Sequence, residues 1–540
     1  MEQDDVLYRS YLENLNALED FQIRYNAALP HQGLDRDDPD VRRLVEVMAF
    51  FHARIHTASL RNMEGTRIRL YRQFFSYLLS PIPAVGTVTA NPTGQLSEVM
   101  ELPKGTELAL LPEWGGSIML RTTRSLRVMP LRLNTIKLAP VSSYGCSLLV
   151  ECVAPFAQNF DIGTLDLSIN YLNDFSLSLK FFDFLRLHLD SINIQFNEYS
   201  SENNGIGCPF QLGTEPYDPE DDDWDHPLEA ERAYFHYPRQ ELYLRVTIPE
   251  QIRNWESFVL VFNFSQSWPK SFQVHRELFQ LYTVPVVNSV REFSSPVICE
   301  GFNDRYALRH PRLEMGFSIQ KIIGVYEASD SGLIPLRPGI ITGGIGSYEV
   351  EFGDPREDGS YPVWLIPHFP DALQEPKTLV VDALWIQPWF DKVMQVAYKL
   401  QPFRRQTLGI KWELMDTPVP HFHNGNISRT EAFLHLFTLM HKSGFNLQDL
   451  TDLLNSFGCV SQGRFAGVFK GLNGLRLEEL PGQQSASGQV VQMYHLRFKP
   501  VLKEQGHLLY AFVRHVQKIL NAWSSSGVIE VQIEPFDENN

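Results

Sequence analysis

The stretch RDDPDVRRLVEVMAFFHARIHTASLRNMEGTRIRLYRQFFSYLLSPIP, from Arg36 to Pro83, constrains this chain more than any other. Asp38 before Pro39 reads as an N-cap followed by proline at the first helical position, where a missing N–H costs nothing and the fixed φ suits a helix. Asp40 then sits favourably on the helix dipole. From Val41 the apolar residues Leu44, Val45, Met48, Phe51, Ile55 and Ala58 recur at helical spacing, and Val47 and Phe50 widen the stripe. Such a stripe is too wide for a helix lying singly on a surface. The pattern resumes through Ile68, Leu70, Tyr71, Phe74, Phe75, Leu78 and Leu79, after which Pro81 and Pro83 bar further helix. The stretch therefore predicts two helices followed by extended chain.

Residues 4–29 predict an earlier helix, with Leu7, Tyr11, Leu15, Leu18, Phe21, Ile23 and Tyr25 near helical spacing before Pro30 and Gly33. Two readings of this N-terminal region stand side by side: a domain core, or an apolar surface for partner subunits. From Val85 to about Phe210 the period shifts toward 2, with strands expected around Leu108–Leu111, Ile136–Leu138, Ser147–Val153 and Leu165–Tyr171. Pro285-Val-Val-Asn288 reads as a strand edge entering a turn. The glycine-rich Ile341–Asp354 lacks the Lys-Ser/Thr of a phosphate loop and reads as a hairpin. Ser428 to Glu431 reads as a capping box, Asn446 as the cap of the next helix, His507–Trp523 as a last helix and Val528–Ile533 as a last strand.

Chemistry is harder to find. Glu215–Asp225 crowds carboxylates into a segment that reads as a solvated loop, without the glycine or closing Glu of a calcium loop. His421, His423, His435 and His441 would need to converge with a further ligand to hold a metal, and the spacing of the last two on a helix points them apart. The five cysteines form no Cys-x-x-Cys pair and fit reduced, packed thiols. No nucleophile elbow, zinc-protease helix or Walker sequence occurs. A net charge of -17 argues against nucleic acid, because phosphate binding needs a clustered basic surface. The one loose basic run, Arg121, Arg124, Arg127, Arg132 and Lys137, reads as solvation of strand faces. The acidic N-terminus MEQDDVLYRSYLENL is unlike a signal peptide, and no apolar run approaches the roughly 18 residues of a membrane span. Read from its residues, this is a multi-domain α+β protein.

Several motifs in order carry a resemblance: DPDVRRLVEVMAFFHARI, LYRQFFSYLLSPIP, LPKGTEL and LRTTRSLRVMPL, then LKFFDFLRLHLDS, FVLVFNF, FQLYTVPVVN and TLVVDALW. Together they resemble TssF, a type VI secretion baseplate family, from Asp37 to about Trp523. Arg42, Val47-Met48, Ala84 and Ile386-Gln387-Pro388 depart from the family pattern. In Leu179–Ser191 the resemblance implies a strand. It further implies helices at the N-terminus, β-rich middle domains and a C-terminal α+β domain, divided as 1–83, 84–250, 251–425 and 426–540. The implied function is a non-enzymatic baseplate wedge component without cofactor or metal, similar in role to phage wedge proteins. The implied partners are TssG, at two TssF copies to one, with TssK, TssE and the VgrG spike; contact with the membrane complex is indirect and the location cytoplasmic, docked at the inner membrane complex. Val41, Leu44, Val45, Met48, Phe51, Ile55, Phe74 and Phe75 are the interface candidates, in a helical bundle shared with TssG. The competing class is a β-rich hydrolase or carbohydrate-binding protein.

Overall fold

The computed structural model describes residues 2–28, 38–113, 115–140, 145–196, 205–213, 226–250, 254–339, 346–353, 362–369, 375–390, 394, 396–403, 408–422, 430–442, 444–484, 490–524 and 528–535. The Asp38 cap forms as expected, its carboxylate accepting the Asp40 N–H at 2.9 Å. The helix it opens, α2, runs unbroken from Pro39 to Phe74, so the expected break inside this stretch does not occur. Between Ala58 and Ile68 the only weak helix former of note is Gly65, and one glycine costs about 1 kcal/mol, too little to end a helix among Leu, Met, Arg and Glu. The helix stops at Phe75, whose φ of −128° leaves the helical region while its N–H still reaches Tyr71 O at 2.7 Å. The partner of α2 is the upstream helix α1, Glu2–Ala28, which lies along it.

The chain divides into two units, Met1–Ser76 with 427–434, and Tyr77–Asn426 with His435–Asn540. In the second unit a six-stranded antiparallel sheet has the order Tyr398–Pro402, Glu107–Pro112, Ile118–Thr122, Thr283–Val287, Val85–Pro92, Ile410–Leu414. Its first and last strands approach each other, so the sheet curls. A second sheet places Trp255–Phe264 between Leu189–Phe196 and Cys146–Gln158. Both sheets join strands from either side of 250/251, so the expected boundary there is corrected: it cuts through hydrogen-bonded ladders. At the C-terminus, Val490–Phe498 pairs antiparallel with Leu472–Gln484 and parallel with Val528–Ile533. The helix Gly506–Trp523 provides the crossover that a parallel pair requires.

Three other expectations are corrected. Leu179–Ser191 is mostly helix: Phe175–His188 is capped by Asp174, which accepts the Leu177 N–H at 2.7 Å, and the strand begins only at Leu189. Phe175, Ser178, Leu179, Phe182 and Leu185 are buried at helical spacing, and that period wins over the alternation. The strand after the glycine-rich run, Ser347–Phe352, pairs in parallel with Arg337–Pro338, not as the second arm of a hairpin; residues 340–345 lie outside the described set, as do Glu215–Asp225 and Ser428. Thr283–Val287 is an interior strand, and Asn288 makes no exposed turn.

Asn288 and Gln387 instead form a buried amide pair, 1% and 0% exposed. Gln387 N–H donates to Asn288 Oδ1 at 2.8 Å, and Asn288 Nδ2 donates to Met119 O at 2.7 Å and Gln387 Oε1 at 3.1 Å. Gln387 Oε1 also accepts the Met119 N–H at 2.8 Å, while its Nε2 donates to Ser117 O and Met315 O at 2.9 and 3.0 Å. Every polar atom of both amides is satisfied, which is what makes a dry position tolerable. Gln387→Leu, similar in volume, leaves the Met119 N–H and Ser117 C=O buried without these partners; the expected loss, read by chemical denaturation, is about 2 to 4 kcal/mol. A loss under about 0.5 kcal/mol would show that the pair is incidental.

Burial, with the nearby Arg232 charge, lowers the His236 imidazole to about 4. Because its folded value lies below the unfolded one near 6.5, the stability it contributes is complete above about pH 6.5 and is lost as pH falls through about 4. Burial moves His226, His310 and His507 the same way. The melting temperature is expected to drop between pH 6.5 and 4, with a smaller drop in His236→Gln than in the parent chain. Equal slopes for the two would contradict the assignment.

Candidate functional site: an exposed apolar helix face

Placement on α2 divides the expected stripe in two. Val41 and Val45 are half-buried, in the same i, i+4 row as the fully buried Ala49 and Ala53. From α1, Leu7, Tyr11, Leu15, Leu18 and Tyr25 are half-buried and Gln22 is buried, again one helical row. Along these rows the most deeply buried of the described residues, Ala49, Ala53 and Gln22, are small or polar, and the larger ones are half-buried. Leu44, Met48, Phe51 and Ile55 project outward, 62%, 53%, 56% and 67% exposed. Val47 and Phe50 beside them, and Leu60, Met63 and Phe74 further along, are exposed as well.

This inverts the usual arrangement, in which large apolar side chains fill the interior and a monomer leaves only small apolar patches. Fully burying one Leu, Ile, Met or Phe side chain is worth about 1.5–3 kcal/mol, so four neighbours on one face hold a large unrealised gain. The face itself offers no acid–base or ligand chemistry, only surface to cover.

Phe75 is the correction among the candidates. It is fully buried, and so belongs to the core rather than to a docking face. Phe21 and Ile23, grouped with the other apolar residues of α1 near helical spacing, are exposed, as are Tyr8 and Leu12. Sequence periodicity grouped them by spacing, but only the position of the neighbouring helix decides which row is covered.

Elsewhere several charged groups have structural partners. Arg124 donates to Gln240 O at 2.6 Å and stacks over Tyr243, and Arg127 donates to Ile162 O and Asp161 O at 2.9 and 2.8 Å, so these two members of the loose basic run are engaged within the chain. His435 lies 3.1 Å from Asp452 and 3.5 Å from Asp449; His423 is outside the described residues, and no metal-holding cluster occurs among those described. His515 is held between Glu231 at 2.6 Å and Glu241 at 3.2 Å and stacks on Tyr234. Burial opposes ionisation of Glu241, but the hydrogen bond and charge of His515, with Arg514 and Lys518, outweigh it and take the carboxyl down to about 2. These groups join helix Gly506–Trp523 to Pro227–His236 and serve the packing. Ser176 Oγ and His507 Nε2 are 2.7 Å apart, but the nearby Asp174 carboxylate is used as a helix cap. All five cysteines are buried and free.

A family model described as "Type VI secretion system, TssF" matches residues 23–195, the segment that holds most of this face. Over these residues the chain is similar to TssF. Its fold is also that of a chain in the cryo-electron microscopy structure of the type VI secretion system TssK-TssF-TssG baseplate subcomplex, with a TM-score of 0.72 at 15% identity over 93% of this chain and 99% of that one. A chain of the baseplate complex from the type VI secretion system matches with a TM-score of 0.59 at 15% identity, over 98% of this chain and 96% of that one. Comparison with curated proteins returns no match. No helix among the described residues is long and apolar enough to cross a membrane.

Because Phe51 is exposed and Phe75 is not, the same substitution separates surface from core. Phe51→Asp is expected to change the stability of the isolated chain by less than about 1 kcal/mol, and Phe75→Asp to remove several kcal/mol by burying a charge. Circular dichroism melting of both variants checks this, and a Phe51→Asp chain that melts like Phe75→Asp would place Phe51 in a core.

Proposed function

We propose that the chain is a structural, non-enzymatic wedge component of the type VI secretion baseplate, and that the Leu44, Met48, Phe51, Ile55 face of α2 is its docking surface for TssG. The observation that carries the reading is that face: large apolar side chains left outward on a helix whose inward row is alanine. The match to the TssF model over residues 23–195 and the shared fold support this reading. TssK is a second partner in this reading, with TssE and VgrG further contacts, and the assembled baseplate lies in the cytoplasm against the inner membrane complex. Two copies of the chain serve each TssG. Two identical chains meeting one different partner place the same surface in unequal environments, which a helix face tolerates by repacking side chains.

The test is co-purification of the full chain with TssG. Phe51→Asp or Ile55→Asp is expected to abolish association, because docking would bury an unpaired carboxylate at a cost of several kcal/mol. A folded variant that binds TssG as the parent does would move the docking surface elsewhere.

A further inference from the structure

In the second unit, the sheet built around Lys377–Ile386 has one covered face and one open one. Leu379, Val381 and Ala383 point into a core shared with Val325, Leu365 and Trp385. The alternate residues of the strand lie on the other face, and strand register places their neighbours. One row reads Ile298, Thr378, Ala328, Leu333, the next Val380, Tyr326, Pro335, and a third Phe293, Asp382, Gly324. Ile298, Leu333 and Phe293 are 57%, 49% and 45% exposed. Asp382 is the one charged residue in these rows, and it is buried and paired with Arg291 at 2.9 Å. In a chain of net charge -17, this face is apolar and free of net charge.

Its relief is that of a trough. Large side chains stand on the outer strands, Ile298 and Phe293 on one side and Leu333 and Pro335 on the other, with Thr378, Val380, Ala328 and Gly324 between them. Tyr326 lies low in it: a Cβ at Gly324 would meet Tyr326 Oη at 2.7 Å, so the ring is laid along its own strand over the glycine. Phe293 meets that ring edge-on at 6.3 Å. Three strand spacings separate the walls, roughly 14 Å, and an α-helix with its side chains is about 10–12 Å across.

Other occupants fit less well. Two such troughs face to face would set wall against wall and leave their floors apart. The edge strand Gly332–Pro335 ends in a residue without an N–H, a poor template for an added strand. Charge then gives direction. The exposed carboxylates of Glu300, two residues past Ile298, and Asp330, in the turn before Leu333, stand at the same end of the trough. At the opposite end the Arg291 charge is matched by Asp382. A helix is favoured with its positive N-terminal end at the carboxylates.

We propose that this trough is the docking site of one amphipathic α-helix of a partner protein, lying along the strands with its N-terminal turn toward Glu300 and Asp330. From the Thr378 row to the Asp382 row is roughly 13 Å, or about nine residues of helix, so its apolar residues recur at i, i+3 or i+4, and i+7. The site is separate from the α2 face and does not rest on the reading of that face.

The test places a photo-crosslinking amino acid singly at Ile298, Phe293 and Leu333 of the full chain in its host cell, and at Ile334, which pairs with Glu327 and so lies on the opposite face. Captured peptides are identified by mass spectrometry. Expected is capture from the three trough positions onto one partner segment at helical spacing, with the residue reached from Leu333 preceding the one reached from Phe293, and little capture from Ile334. A Glu300→Lys, Asp330→Lys double variant, which leaves the apolar face intact, is expected to reduce capture at least fivefold. Ala328→Trp, an exposed position that raises the floor, is expected to abolish it while circular dichroism melting stays that of the parent. Capture of a second copy of this chain, of a strand or of a helix running the other way would overturn the inference. So would equal capture from Ile334, no capture from the trough, or a double variant that captures as the parent does.

Discussion

Two helices lying side by side can either fill the space between them with large side chains or keep it narrow with small ones, and α1 and α2 take the second course. Ala49, Ala53 and Gln22 are buried along the pair, with Leu15, Leu18 and Val45 only half-buried beside them, and Tyr71 and Phe75 are buried toward the end of α2. Leu44, Met48, Phe51 and Ile55 are then left without an interior, and they line the outside. A helix pair of this kind gains only part of its stability from its own contacts, since most helical stability in proteins comes from burying an amphipathic face. The rest is available only if something else covers that face.

The second unit solves the same problem internally. It buries Phe181, Phe258, Phe262, Phe279 and Trp385 almost completely, and some of its buried polar residues join separate segments by hydrogen bonds. The Asn288–Gln387 pair joins the end of an interior strand of the six-stranded sheet to the end of strand Lys377–Ile386. Arg232 is another such joint: buried, it donates to Tyr77 O at 3.1 Å, Ser80 O at 2.6 Å and Phe457 O at 3.3 Å. Carbonyls that end helical turns accept from its guanidinium, and burial lowers it only to about 10, so it remains charged. Buried polar sets of this kind specify one packing because each alternative leaves a donor or acceptor dry.

Local signals were legible in the sequence wherever the deciding atoms were near in the chain. The Asp38 cap, the Asn446 cap with its reciprocal Asp449, and the strands around Leu108, Ser147 and Thr378 depend on residues a few positions apart. The misses depend on partners far away. Asn288 reads as a turn residue until Gln387, distant in sequence, is placed beside it. The division expected at 250/251 separates Trp255–Phe264 from Cys146–Gln158 and Leu189–Phe196, the strands it pairs with. Leu179–Ser191 carries both periods, and the Asp174 cap tips it to helix. The candidate face was visible as apolar spacing. That Val45 turns inward, Ile55 outward and Phe75 into the core required the place of α1 and the chain's turn at Phe75.

The central claim is that Leu44, Met48, Phe51 and Ile55, exposed in the single chain, are covered in the assembly. Hydroxyl-radical footprinting of the full chain, alone and in assembled baseplate, reads this directly because Met and Phe side chains report their own exposure. The account predicts strong modification of Met48 and Phe51 in the isolated chain and marked protection in the baseplate, with the buried Phe75 unmodified in both. Equal modification of Met48 and Phe51 in the two states would contradict it.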